Sequence, residues 1–219
     1  MGRQPLNKEA QKEIIIRLIK ATQEISFVEG LEAVTIRKIS TQAGLNIATL
    51  YKYFGDLDEL LLFTCVDLFR SYANDLIQYE AQTKTASPEK TYMVTWELFC
   101  RYSFQYPEYI NRLFFGKHSG RLAHVIKAYY DLFPEQLEGM SQSLKVMISS
   151  ADLYKRNLEV LQPLLKNRAS EQRMNLINDL TISYFYKLLN EKIVGGNQID
   201  NTVQTQHMLD ACRLLTSLS

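Results

Sequence analysis

Apolar residues recur along this chain at spacings of three and four, and strict apolar-polar alternation is missing. That spacing is the signature of helices that bury one face, whereas half-buried strands would alternate with a period of two. Glycine and proline are scarce, at 9 and 5 of 219 residues, so the helices are rarely interrupted. The pattern predicts an all-α protein of about nine or ten helices, with no internal repeat and no long linker.

A first helix is expected from Lys8 to Val28, with Ile15, Leu18, Ile19, Thr22, Ile25 and Val28 on one face and Gly30 as its terminator. Thr35 caps a short second helix, Ile36 to Ala43, and Asn46 caps a third, Ile47 to Tyr53. Asp56 opens a fourth helix reaching about Glu80, and Glu59 stands three residues later as in a capping box. Ser87-Pro88-Glu89 joins a cap, a first-turn proline and an acid at the positive helix end, so a fifth helix runs from there to Tyr106. Further helices are expected over Glu108–Phe115, Leu122–Leu132, Glu135–Ile148 and Ala151–Asn167. Pro163 should kink or break the last of these. Two long helices, Glu171–Val194 and Thr202–Leu218, close the chain around a Gly195-Gly196-Asn197 turn.

Composition narrows the function. The net charge of +1 rules out a polycation, yet residues 1–55 carry a net +3 and the remainder −2, so a nucleic-acid surface would be local and N-terminal. Cys65, Cys100 and Cys212 are an odd number at wide spacing, which fits neither a disulfide framework nor a metal site and suits a reducing cytoplasm. No apolar run approaches the ~20 residues of a membrane span, and the N-terminus lacks a signal-peptide core, so a cytoplasmic location is expected. There is no nucleophile-base pairing, no phosphate-cradling glycine loop and no metal cluster, so neither catalysis nor a cofactor is expected.

The informative stretch is Thr35 to Phe54, TIRKISTQAGLNIATLYKYF. Two short helices meet there through a tight turn in which Gly44 takes a left-handed backbone conformation that a bulkier residue resists. Ile39, Ala43, Leu45 and Leu50 sit where the helices close on each other, and the small Ser40 and Ala48 permit close approach. Ile47, Ala48, Thr49, Tyr51, Lys52 and Tyr53 remain on the outer side of the second helix, which has the width of the DNA major groove.

Over residues 30–60, GLEAVTIRKISTQAGLNIATLYKYFGDLDEL, the sequence resembles the TetR family of bacterial helix-turn-helix transcriptional regulators. The resemblance implies an N-terminal three-helix DNA-binding domain, residues 1–55. A long helix, 56–80, would join it to a C-terminal effector-binding and dimerisation domain within 56–219. It implies that Thr35 and Arg37 approach a phosphate and a base edge, that Ile47, Ala48 and Lys52 face bases, and that Thr49, Tyr51 and Tyr53 hold phosphates. Tyr53 is also compatible with a partly core position, and Arg37 and Lys38 with plain solvation. Many relatives place a lysine near the start of the fourth helix; here Leu57 stands there among Asp56, Asp58 and Glu59. Repulsion toward DNA is therefore expected at that point, offset by Lys8, Lys12 or Arg3 of the N-terminal arm.

Residues 92–133 are rich in aromatics, which suits either a large core or an apolar ligand site. The resemblance favours an effector pocket. Its candidate liners are Trp96, Phe99, Arg101, Tyr102, Phe115, Tyr129, Met147 and Tyr184, with His118 and His124 as further polar candidates. The effector would be a small apolar or aromatic molecule. Leu176, Leu180, Tyr184 and Leu188, then Met208, Leu209, Cys212, Leu215 and Leu218, form stripes on the last two helices. The resemblance implies that such a pair meets its symmetry mate, giving a homodimer on a palindromic double-stranded operator; the same stripes also suit packing within one protomer. The functional expectation is a ligand-released repressor. A DNA-binding architectural or division-regulating interaction protein without an effector is the alternative.

Overall fold

A computed structural model describes residues 8–83 and 86–217. Twelve α-helices and no strands occur among the described residues. They are α1 (Lys8–Glu29), α2 (Ile36–Gln42), α3 (Ile47–Tyr53), α4 (Leu57–Leu68), α5 (Arg70–Gln82), α6 (Pro88–Gln105), α7 (Pro107–Ile110), α8 (Leu122–Leu132), α9 (Gln142–Ser149), α10 (Leu153–Leu165), α11 (Glu171–Gly195) and α12 (Asn201–Ser217). A π-helical turn, Asn111–Phe115, continues α7, and a 3-10 turn, Ser119–Arg121, leads into α8.

The helix starts follow the side-chain caps read from the sequence. Thr35 accepts from the Lys38 N–H, Asn46 from Thr49 N–H, Asp56 from Glu59 N–H and Ser87 from Lys90 N–H. Each satisfies one of the N–H groups that a helix leaves without an internal partner. Glu59 reaches back to the N–H of Gly55 at 2.8 Å, one residue earlier than the usual capping box.

Three expectations are corrected. The fourth helix is not one rod to Glu80; it bends at Phe69 into α4 and α5. The cause is that its apolar stripe serves two cores. Leu60 and Leu61 pack with α1 and α8, whereas Phe69, Tyr72 and Leu76 pack with α6. The helix expected over Glu135–Ile148 is also divided. A short 3-10 turn, Pro134–Leu137, ends before Gly139, whose φ of +78° is left-handed, and Ser141 then caps α9. Finally, α10 passes through Pro163 without breaking and stops at Leu165, with Asn167 at a φ of +68° just beyond. A proline so near the helix end removes only one of the last hydrogen bonds.

Two apolar cores result. One joins α1 to α4 with Tyr109, Leu113 and the inner face of α8. The other is built from α5, α6 and α9 to α12, with Tyr92, Trp96, Phe99, Phe104 and Phe185 among its aromatic contributors. No helix among the described residues is long and apolar enough to cross a membrane, and no group of metal-ligating side chains is assembled among them. The three cysteines are free and buried.

Candidate nucleic-acid interface and interior cavity

The turn between α2 and α3 is held from behind. Gly44 has a φ of +61°, and Arg17 of α1 donates to the carbonyl oxygens of Ala43 and Gly44. A charged donor on carbonyls freed by the turn fixes the crossing of the two helices. Ile39 and Leu50 are fully buried between them, with Ala43 beside them. Ser40 is buried in the contact as expected, whereas Ala48 faces outward.

The outer face of α3 then follows from its period. Ile47 and Tyr51 are 43% and 52% exposed, and Ala48 and Lys52 are exposed beside them. Thr35 and Arg37 are exposed at the start of α2. Arg37 and Lys52 have no carboxylate partner among the described residues, while Lys38 is bound to Glu29 at 2.5 Å. The Lys52 ammonium lies 5.5 Å from the centre of the Tyr53 ring. Thr49 is half-buried and donates its hydroxyl to Asn46. Tyr53 packs against the N-terminal core with its hydroxyl buried, so it is not offered to a phosphate in this conformation.

The acids at the start of α4 are not bare. Arg121 holds Asp56 at 2.8 Å and Glu59 at 3.4 Å. Arg112 holds Asp58 at 3.0 Å, and His118 stands 3.2 Å from the other Asp58 oxygen. The Glu59 N–H, and then Arg121, hold the Asp56 carboxyl below its ordinary pKa. The expected repulsion toward DNA is thus corrected: the acids form an ionic clasp between the start of α4 and the segment 111–121. Lys12 is likewise turned away from any external partner, bound to Glu135 at 3.2 Å. Lys8 is exposed, and Arg3 lies outside the described residues.

Within the C-terminal core, a narrow cavity of about 20 Å³ lies between α5, α6, α9 and α10. It brings together three of the residues singled out from sequence, Trp96, Phe99 and Met147. The others lie elsewhere. Arg101 is exposed beside Asp75 and Glu97, and the Tyr102 hydroxyl donates to Asp75 at 2.8 Å. Phe115 packs on Tyr186 with ring centres 4.4 Å apart, and Tyr184 lies under Lys187. Tyr129 belongs to the other core, where it donates to Asp67 at 2.8 Å. His118 joins the clasp and His124 is exposed.

Sequence reasoning missed Tyr72, Thr95, Leu153, Arg156, Asn157 and Val160 in the cavity wall. The signal was present in α10. Leu153, Val160, Leu161 and Leu164 mark its inward stripe, and Arg156 and Asn157 fall on that stripe. A polar residue at a core position asks for a partner inside. Asn157 has two, accepting from the Trp96 Nε1–H at 2.9 Å and donating to Asn178 at 2.8 Å. A second cavity of about 220 Å³ shares Thr95, Met147 and Val160 with the first and opens between α5, α6, α9 and α10.

The dimerisation stripes divide. Leu188, Met208, Leu209 and Cys212 are buried in the protomer's own core, and Leu215 is half-buried against it. Leu176 and Leu180 are 57% and 46% exposed, and Leu214, not singled out from sequence, is 62% exposed. Any partner-facing surface on these helices is therefore narrower than the sequence stripe, because α11 and α12 spend most of it on α6 and α10. Leu218 lies outside the described residues.

A capped helix pair with a bare outer face, set on a larger helical body, defines a helix-turn-helix protein. Residues 18–62 match the sequence model of the family described as "Bacterial regulatory proteins, tetR family". A TetR transcriptional regulator from Rhodococcus sp. RHA1 superposes over 94% of this chain and 97% of its own, at 16% identity and a TM-score of 0.53. Thermus thermophilus FadR, a TetR-family transcriptional repressor solved with lauroyl-CoA, covers 92% of each chain at 14% identity and a TM-score of 0.58. RolR, solved with resorcinol, covers 96% of this chain and 95% of its own at 17% identity and a TM-score of 0.56. A search of the curated proteins finds no match to this sequence. The N-terminal segment thus matches the TetR family model, and the chain as a whole has the fold of the solved TetR regulators.

Proposed function

We propose that this protein is a sequence-specific, ligand-released repressor that binds a palindromic operator as a homodimer and catalyses no reaction. The observation that carries the reading is the outer face of α3, where Ile47, Ala48, Tyr51 and Lys52 stand exposed on a helix fixed by Arg17 and its Asn46 cap. Arg37 offers a two-pronged donor suited to guanine, Lys52 a mobile charge for base or phosphate, and Ile47 an apolar contact for a thymine methyl. In this division residues 1–55 read DNA and 56–219 bind effector and partner. Exposed Leu176, Leu180 and Leu214 offer an apolar surface for a second copy.

The effector half of the reading rests on the cavities beside Trp96. Two proteins of this fold hold small molecules as different as lauroyl-CoA and resorcinol. The interior space also weighs against an interaction protein without an effector. Effector and operator are coupled only if the effector prefers one of two conformers. A contiguous route runs from the cavity through Phe114, whose ring lies 5.0 Å from the Arg156 guanidinium, to Arg112 on the same π-helical turn and so to Asp58 of α4.

Selection of binding sites from random duplex DNA at fixed salt tests the reading. The expected result is an enriched palindrome that an Arg37→Ala/Lys52→Ala double variant no longer selects. Enrichment of no site, with salt-sensitive binding to all duplexes alike, refutes it.

A further inference from the structure

We infer that the interior cavity receives a small monocarboxylic acid, whose carboxylate is met by Arg156; this rests on the effector reading above. Arg156 lines the inner cavity and is only 8% exposed. A buried cation is costly unless something compensates its charge. No carboxylate pairs with it among the described residues. Its Nε donates to the Ser150 carbonyl and its Nη2 to the Ile148 carbonyl, each at 2.7 Å, and its face lies over Phe114. These contacts close the C-terminal end of α9 with partial charges only. No acceptor meets Nη1 among the described residues, so this prong of a cavity-lining arginine is available to a ligand.

Three of the remaining polar groups of the inner wall are already engaged. Thr95 donates to the Thr91 carbonyl, Trp96 donates to the Asn157 amide oxygen, and the Asn157 amide N–H donates to Asn178. Tyr72 also lines this wall near Arg156, and its hydroxyl is a second donor for an anion held there; the rest of the wall is apolar. Burial pulls the Arg156 pKa down from its ordinary value, but an arginine stays protonated at neutral pH.

Shape sets the size and orientation of the acid. The inner cavity of about 20 Å³ has room for a water-sized group, and the outer one of about 220 Å³ takes the body. Together they fall below the usual range of ligand pockets, ~300 Å³ and upward, so only a small acid fits. Met147 stands in the wall common to both, and its flexible thioether can yield as the head group enters. The outer cavity is lined by Glu80 and Glu159 and by no lysine or arginine among the described residues. A nucleotide polyphosphate at that mouth would face two carboxylates. The site therefore selects a free acid with an uncharged tail over a coenzyme A thioester.

Trp96 is the sole tryptophan of the chain and lies in the wall, so its fluorescence reports occupancy directly. The test titrates the full chain with benzoate, phenylacetate and octanoate, each beside its primary amide. At least one acid is expected to bind ~10- to 100-fold more tightly than its amide, the range of a charge-assisted hydrogen bond. Arg156→Met should erase that preference and Arg156→Lys retain part of it, with thermal unfolding confirming that each variant folds. The inference fails if amides bind as tightly as acids, if no acid perturbs Trp96 by ~1 mM, or if folded Arg156→Met still prefers acids. The acid-amide comparison on the unaltered chain decides the matter even where a variant does not fold. Operator selection is scored separately. An operator released by neutral compounds alone would keep the regulator and remove the acid, and acid binding without any operator would do the reverse.

Discussion

Lys52 and Arg156 are cations in opposite surroundings, and each represents its end of the molecule. Lys52 is exposed on α3, beside the Tyr53 ring and with no carboxylate partner among the described residues. Its charge is cheap to keep, and any phosphate it meets is bound largely by release of counter-ions, which salt opposes. Arg156 is shut inside the C-terminal core with two backbone carbonyls and an aromatic ring. Its charge is expensive, and a ligand that neutralises it gains an interaction that salt barely screens. The same charge on the surface supplies affinity for any polyanion, and in the interior supplies discrimination between one small anion and its neutral twin.

The comparison can be broken first at the scaffold of the exposed end. Leu50 is fully buried between the two short helices, so Leu50→Ala should cost ~2–5 kcal/mol of stability, read by denaturant unfolding. Operator binding should fall with it. A cost under ~1 kcal/mol would mean that the helix pair does not depend on this contact.

Next is the link between the two ends. Removing Arg112 and Arg121 together opens the clasp on Asp56, Asp58 and Glu59. These pairs are partly exposed, so each should contribute at most ~1 kcal/mol to stability. The expected effect is on coupling. Effector affinity should persist while effector-induced loss of operator affinity shrinks from the ~5- to 150-fold usual for allosteric pairs toward none. Unchanged release in the double variant would show that the signal travels by another route.

The smallest expected effect is the most diagnostic of the exposed cation. Lys52→Ala should lower the slope of log affinity against log salt by ~1 if its ammonium sits on a phosphate. A slope that stays the same while preference at one base pair is lost would place Lys52 on a base edge instead. For Arg156→Lys, the corresponding acid affinity should change little with salt.

Much of the N-terminal architecture was legible because its signals are local. Thr35, Asn46 and Asp56 announce helix starts through bonds that span three residues, and Gly44 marks a backbone conformation that other residues resist. Most of the exposed side of α3 followed from its period, but Thr49 and Tyr53, expected on that side, are partly buried. The cavity was legible only in part. Trp96, Phe99 and Met147 were found by their aromatic or apolar character, but Tyr129 has the same character and lies in the other core. Composition cannot say which of two cores an aromatic residue joins.

What the sequence determined by itself was the all-helical class, the capped helix-turn-helix and four of its outward side chains, Ile47, Ala48, Tyr51 and Lys52. These rest on periodicity and on hydrogen bonds between near neighbours. Only the tertiary structure decided that the long fourth helix bends at Phe69, that three acids at the start of α4 are held by Arg112 and Arg121, and that Arg156 lines an interior cavity. Each of those depends on residues far apart in the chain meeting in space, and on the need to compensate a charge where they meet.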